Sequence, residues 1–74
     1  MDPQATLAII TDPVNDMEDR REACSDLADW IESGGYAPGG LRYALNAPSF
    51  GGNTAARNWA VEALRNIAAG RRSL

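Results

Sequence analysis

The chain has 74 residues and a net charge of −3, so it has room for one domain with one small core. Its single cysteine cannot form an intramolecular disulfide, and the absence of histidine leaves that thiol without the usual zinc-binding partners. No segment approaches the roughly 20 apolar residues that a membrane span needs, and the N-terminus lacks the basic region of a signal peptide. We therefore expect a cytoplasmic domain with no cofactor.

The charged residues are unevenly distributed along the chain. Residues 1–34 carry nine acids and two arginines, a net charge of −7, whereas residues 35–74 carry one acid and five arginines, a net charge of +4. This division allows the two halves to attract each other, or a dimer to pack head to tail. All seven basic residues are arginine. Together with abundant alanine and glycine, this indicates a GC-rich coding genome, and a lysine-free chain of this size suits a phage or mobile-element gene.

The first predicted element is a short helix over residues 3–11. Asp2 can cap its free N–H groups, proline is favourable at the first helical position, and Leu7 and Ile10 would share one face. A buried strand over Thr6–Thr11 is the alternative, because threonine and isoleucine favour strands. The helix is preferred because no second strand exists to pair with this segment.

The strongest helical pattern runs from about Asp16 to Ser33. Asn15 is the predicted N-cap, with Glu18 three residues later as in a capping box, and Gly34 supplies the C-terminal stop. The residues with the spacing of one buried face are Met17, Cys24, Leu27, Ala28 and Ile31.

A glycine-rich turn over residues 34–40 leads to a second predicted short helix, Leu41–Asn46, with Leu41 and Leu45 on one side. Residues 48–52 form a loop whose Phe50 is expected to fold back onto the core.

The last predicted helix begins with Asn53 as its N-cap, reaches about Ala69 and stops at Gly70. Its apolar face consists of Ala56, Trp59, Ala60, Ala63, Leu64, Ile67 and Ala68. Residues 71–74 are predicted to be a frayed tail.

A shift of 36 residues superimposes the two halves of the pattern. It places Arg21, Cys24, Leu27, Ala28, Ile31 and Gly34 over Arg57, Ala60, Ala63, Leu64, Ile67 and Gly70, with Ile9 over Leu45 and Val14 over Phe50. This possible duplicated hairpin loosely resembles the helical hairpins of HEAT-type repeats, which stack to form protein-binding surfaces. Any amphipathic helix that stops at glycine gives a similar pattern, so the alternative of no true repeat stays open.

Catalytic chemistry finds little support in the sequence. The carboxylates Asp19, Glu22, Asp26 and Asp29 recur every three to four residues, which is typical of the solvated face of a helix. Cys24 lies on the apolar face with no histidine to act as its base, so a core role is expected. An anion could bind at the start of the last helix, although a turn with a cap is the simpler interpretation.

Interaction residues are sought among the aromatic and arginine side chains, because these dominate binding hot spots. Trp30 lies at the border of an apolar face, and it is expected to cluster with the tyrosines at the glycine-rich turn. The candidates are Trp30, Tyr36, Tyr43, Trp59, Arg57 and Arg65.

These observations predict an all-α fold, a small bundle of two long antiparallel helices and two short ones, forming a single domain over residues 1–74. The predicted function is non-catalytic protein binding, as a small regulator, inhibitor or homodimer, with self-association slightly favoured. The alternative is an accessory nucleic-acid-binding protein that uses the arginines of the second half. The absence of lysine and the acidic helix count against that alternative.

Overall fold

A computed structural model describes residues 1–74 and shows four helices and no strand. The helices are α1 (Pro3–Thr11), α2 (Met17–Glu32), α3 (Leu41–Ala44) and α4 (Asn53–Ala68). The all-α prediction is confirmed, and the first element is a helix, not a strand. None of the four helices combines the length and the apolar character that crossing a membrane requires.

Helix α1 begins as its sequence predicts. The carboxylate of Asp2 accepts hydrogen bonds from the main-chain N–H groups of Gln4 and Ala5, at 3.0 and 3.3 Å. Pro3 occupies the first helical position, where its missing N–H costs nothing. Leu7 and Ile10 are both buried, so the predicted face of this helix is the one that packs on the core.

The start of helix α2 differs from the prediction. Its N-cap is Asp16, whose carboxylate accepts from the N–H of Asp19 at 2.9 Å. Asn15 is not the cap; its side chain donates to the carbonyl oxygen of Ile9 at 3.1 Å. A negative carboxylate suits the positive end of a helix better than a neutral amide does, and the amide N–H can instead satisfy a free carbonyl at the end of α1.

The inner face of α2 is also displaced from the predicted one at its first turn. Met17 was expected in the core, but its side chain is 42% exposed. Because the cap lies at Asp16, Met17 becomes the first residue of the helix, six residues before Ala23, the first buried residue of α2. Ala23 is buried instead, and the other four predicted core residues of this helix are buried as expected.

The core lies where α1 and α4 pack against α2. It consists of Leu7, Ile10, Ala23, Cys24, Leu27, Ala28, Ile31, Leu41, Leu45, Ala60, Ala63, Leu64 and Ile67. Leu41 begins α3 and Leu45 is its C-cap, and their burial confirms the predicted side of α3, although that helix ends at Ala44 and not at Asn46.

The two long helices obey the 36-residue shift. Both have 16 residues, and each boundary of α4 lies 36 positions after that of α2. Two residues after the end of each helix lies a glycine with positive φ, 103° at Gly34 and 77° at Gly70, the left-handed conformation that glycine adopts most easily. In both turns the glycine N–H donates to the carbonyl three residues earlier, and the next N–H donates to the one five residues earlier.

The contacts between α2 and α4 also follow the 36-residue shift. Arg57 of α4 donates a hydrogen bond of 2.6 Å from Nη2 to the carbonyl oxygen of Ile31, at the end of α2. The equivalent Arg21 of α2 lies with its guanidinium beside Gly70, at the end of α4. Each arginine therefore places positive charge at the negative end of the other helix, which stabilises an antiparallel pair.

The short elements do not obey the shift. Ile9 is 42% exposed, whereas its counterpart Leu45 is only 2% exposed. Val14 is almost fully exposed, but Phe50 packs on Trp59. The internal likeness is therefore confined to the long helices and their C-terminal turns.

The start of α4 corrects a second predicted cap. Gly52 is the N-cap, in an extended conformation, and no side chain accepts a hydrogen bond from the first turn. Asn53 is the first helical residue, so its side chain is one position too late to cap. The helix ends at Ala68, one residue before the predicted end.

Candidate interaction surface

A groove of about 750 Å³ lies between the segment 36–53 and one side of α4. We call it the aromatic groove. The side chains that give it its character are Tyr36, Tyr43, Phe50, Trp59, Arg42 and Arg57. Three of the four predicted aromatic candidates and one of the two predicted arginines thus meet at one surface.

Trp30 does not line the groove, but it fixes one of its edges. Its indole N–H donates to the carbonyl oxygen of Tyr36 at 2.8 Å, and the two rings meet edge to face with centroids 5.9 Å apart. Gly35 allows this close approach, because a Cβ there would collide with the Trp30 ring. The predicted contact of Trp30 with Tyr36 is confirmed, whereas Tyr43 pairs with neither ring.

Trp59 forms part of the groove wall and is packed from two directions. Phe50 folds back as predicted and lies with its ring centroid 6.0 Å from that of Trp59. The guanidinium of Arg72 lies 5.2 Å from the Trp59 ring centroid and donates to the carbonyl oxygen of Leu45. Cation–π contacts of this kind favour a fixed ring position.

Arg71 and Arg72, the first residues of the predicted frayed tail, make contacts with the helical body. The N–H of Arg71 donates to the carbonyl of Asn66 at 2.8 Å, and its Nε donates to the Asn66 side chain at 3.1 Å. Sequence reasoning missed Arg72 as a groove neighbour. The usable signal was Gly70, since a left-handed residue after a helix turns the chain back toward it.

The two tyrosines stand at the edge of the groove with most of their surface in solvent. Tyr36 and Tyr43 are 66% and 86% exposed. Tyr43 lies on the single turn α3, between Leu41 and Leu45 in the chain, and both of these leucines are buried. Both rings are therefore held outward by main chain that is itself attached to the core.

The predicted arginines occupy different environments. Arg65 lies away from the groove and forms ion pairs with Asp29 at 3.0 Å and Glu32 at 3.1 Å. The hydrogen bond to Asp29 and the two nearby carboxylates raise the pKa of Arg65 above its usual value, despite some opposing desolvation. Arg57 lines the groove but already donates one hydrogen bond to α2.

Cys24 behaves as a core residue. It is fully buried on α2 between the helices, and this burial raises its pKa to about 11, with Arg20 offsetting part of the effect. At neutral pH the thiolate is therefore scarce. No group of three side chains among histidine, cysteine, aspartate and glutamate lies close enough together to hold a metal ion.

In comparisons with known proteins, no family model, no curated protein and no solved structure matches this chain.

Proposed function

We propose that the chain is a non-catalytic protein-interaction module, a small regulator or inhibitor that binds its partner through the aromatic groove. The observation that carries the proposal is the exposure of Tyr36 and Tyr43 beside a wall made by Trp59. A small domain with a limited core gains stability by burying its aromatic rings, yet these two face solvent.

The contacts that hold the aromatic residues of the groove in place are consistent with a role in binding. Trp30 holds the main chain at Tyr36, and Arg72 and Phe50 hold Trp59 in place. Rings positioned before binding lose little conformational freedom when a partner arrives, which raises affinity. Tyrosine, tryptophan and arginine are also the residues that contribute most at protein interfaces.

Accessory nucleic-acid binding remains the alternative, but the arginines support it less well. Arg65 is neutralised by two carboxylates, while Arg57 and Arg72 each donate to a main-chain carbonyl. A phosphate backbone is held by a row of free cations, which this surface does not offer.

The test is capture of partners from a lysate of the source cell with three immobilised forms of the chain. The forms are the wild type, a double variant Tyr36→Ala with Tyr43→Ala, and a control Val14→Ala, which removes exposed apolar surface away from the groove. We expect a protein that forms a stoichiometric complex with the wild type and the control, and that the double variant loses. Equal retention by the double variant would show that the groove is not the binding surface.

A further inference from the structure

We infer that the occupant of the aromatic groove is an acidic segment of a partner protein that carries an apolar side chain next to its carboxylates. This inference rests on the proposed function and names the chemistry of the partner. It is carried by the charge of the groove, and by an asymmetry between the flanks of the two long helices.

The groove is electrostatically unlike the rest of the molecule. The chain has ten acidic residues, and none of them lines the groove. Arg42 and Arg57 do line it, and Arg72 lies against the Trp59 ring. On a protein with a net charge of −3, this surface is thus a local region of positive charge that selects for an acidic ligand.

Arg42 is the cation available for a direct contact. Its side chain forms no hydrogen bond and no ion pair within the molecule, in contrast to Arg57, Arg65 and Arg72. It is exposed on α3, directly beside Tyr43 in the chain. A carboxylate on the partner can accept two parallel hydrogen bonds from its guanidinium, the strongest pairing open to an arginine.

The apolar anchor follows from comparing the flanks of α2 and α4. On α2, helix α1 packs along the flank, and Arg20 donates from Nε to the carbonyl oxygen of Ile10 at 2.8 Å. The equivalent position on α4 is Ala56, which lines the open groove. The four-residue α3 is too short to cover α4 as α1 covers α2, so Ala56 and Trp59 remain available to an apolar side chain.

A second copy of the chain fits this surface less well. A two-fold contact of groove with groove would bring Arg42 and Arg57 of both copies together, which is a like-charge contact. Docking the acidic face of α2 from another copy gives a head-to-tail contact, which extends into chains or rings and not into a closed pair.

The experiment selects ligands for the intact chain from a library of random twelve-residue peptides. We expect the selected peptides to be enriched in aspartate and glutamate beside leucine, phenylalanine or tryptophan. Their affinity, measured by fluorescence anisotropy, should fall about tenfold on Arg42→Gln, and further on Arg42→Glu, because a charge-assisted pair is lost. Arg71→Gln is the control, since Arg71 is exposed outside the groove. The affinity should also fall between 50 and 500 mM salt.

Several results would overturn the inference. These are selection of no peptide, selected peptides without acidic enrichment, or affinities that Arg42→Glu leaves unchanged. If a fifteen-nucleotide oligothymidylate binds more tightly than the selected peptides, and this binding is lost on Arg42→Gln, the groove would be assigned to nucleic acid. Saturation of the groove by a second copy would assign it to self-association. If the captured partner is lost with the tyrosine variant but kept with Arg42→Glu, the interaction module stands and only the acidic occupant is wrong.

Discussion

The arginines of this chain have several distinct structural roles, which the sequence alone does not distinguish. Arg65 pairs with carboxylates, Arg57 satisfies the end of a helix, and Arg72 lies on an indole ring. Arg42 has no partner of its own. The planar, permanently charged guanidinium can fill all of these roles, which a lysine ammonium cannot do equally well. Partner geometry, and not residue type, therefore separates structural arginines from one available for binding.

Leu27 and Leu64 give the most direct test of the core. Both side chains are fully buried in the only hydrophobic cluster. Leu27→Ala or Leu64→Ala should each lower the free energy of unfolding by about 2–5 kcal/mol, because each leaves a cavity that a small core cannot refill. Thermal melts should fall by at least about 8 °C. Val14→Ala, at an exposed position, is the control, and an unchanged melt in either leucine variant would contradict the assigned core.

Cys24 predicts a pH dependence of stability. Its pKa rises from the ordinary 9.0 to about 11 on folding, mainly because burial disfavours the thiolate. The folded state therefore holds the thiol proton more tightly than the unfolded state, and this contribution is complete below pH 9 and is lost as the pH rises through about 11. Urea unfolding at pH 7 to 11 should show the wild type losing more stability than Cys24→Ala above pH 9. Parallel curves would show that folding does not raise the pKa of this thiol.

At the scale of the elements, the sequence was sufficient to predict a helix where a helical spacing of apolar residues is followed by a glycine. The four helices, their order and the stops at Gly34 and Gly70 follow from apolar spacing and the left-handed preference of glycine. The caps at Asn15 and Asn53 were wrong, each by one residue. Neighbouring side chains compete for the same helix end, and the winner depends on where the preceding loop places the main chain.

Only part of the groove could be predicted from the sequence. The aromatic candidates were found by residue type, because tryptophan and tyrosine are enriched in binding hot spots. The contact of Trp30 with Tyr36 was predicted, but the grouping of the tyrosines with Trp59 around a groove was not. It depends on how the chain between α2 and α4 closes over α4, and this is a long-range contact that helical spacing does not encode.

The uncapped start of α4 offers a stabilising substitution. Gly52 has an extended main chain, open space around its Cα and no side chain to accept from the first turn. Gly52→Asp should supply that acceptor and place negative charge at the positive helix end, adding about 0.5 kcal/mol.

The matched control is Gly51→Asp, at a neighbouring position with equal space but no place at the cap. A melting temperature raised by about 2–4 °C is expected for Gly52→Asp only. An equal rise in both variants would show a general charge effect and not a cap.

At the scale of the whole molecule, the opposite charges of the two halves are partly paired within the chain. The acidic first half meets the basic second half along α2 and α4, where Arg65 bridges Asp29 and Glu32. These pairs are exposed, so each adds little stability and weakens with salt. The division of charge was one reason to expect a head-to-tail dimer. Because these ion pairs form within one chain, they leave less charge attraction available to a second copy.

The predicted homodimer must therefore depend on apolar contact. A stable pair buries about 800 Å² on each partner, more than a sixth of the 4576 Å² that this molecule exposes. We expect self-association to be weak, and to be equal at 20 and 500 mM salt because apolar contacts, unlike exposed charge pairs, are not weakened by screening. Sedimentation equilibrium from 10 to 500 µM should show the average mass rising above 7.9 kDa by the same amount in both salts. A dimer that dissociates in high salt would show that charge holds it together. A mass fixed at 7.9 kDa throughout would exclude self-association at these concentrations and leave a different protein as the partner.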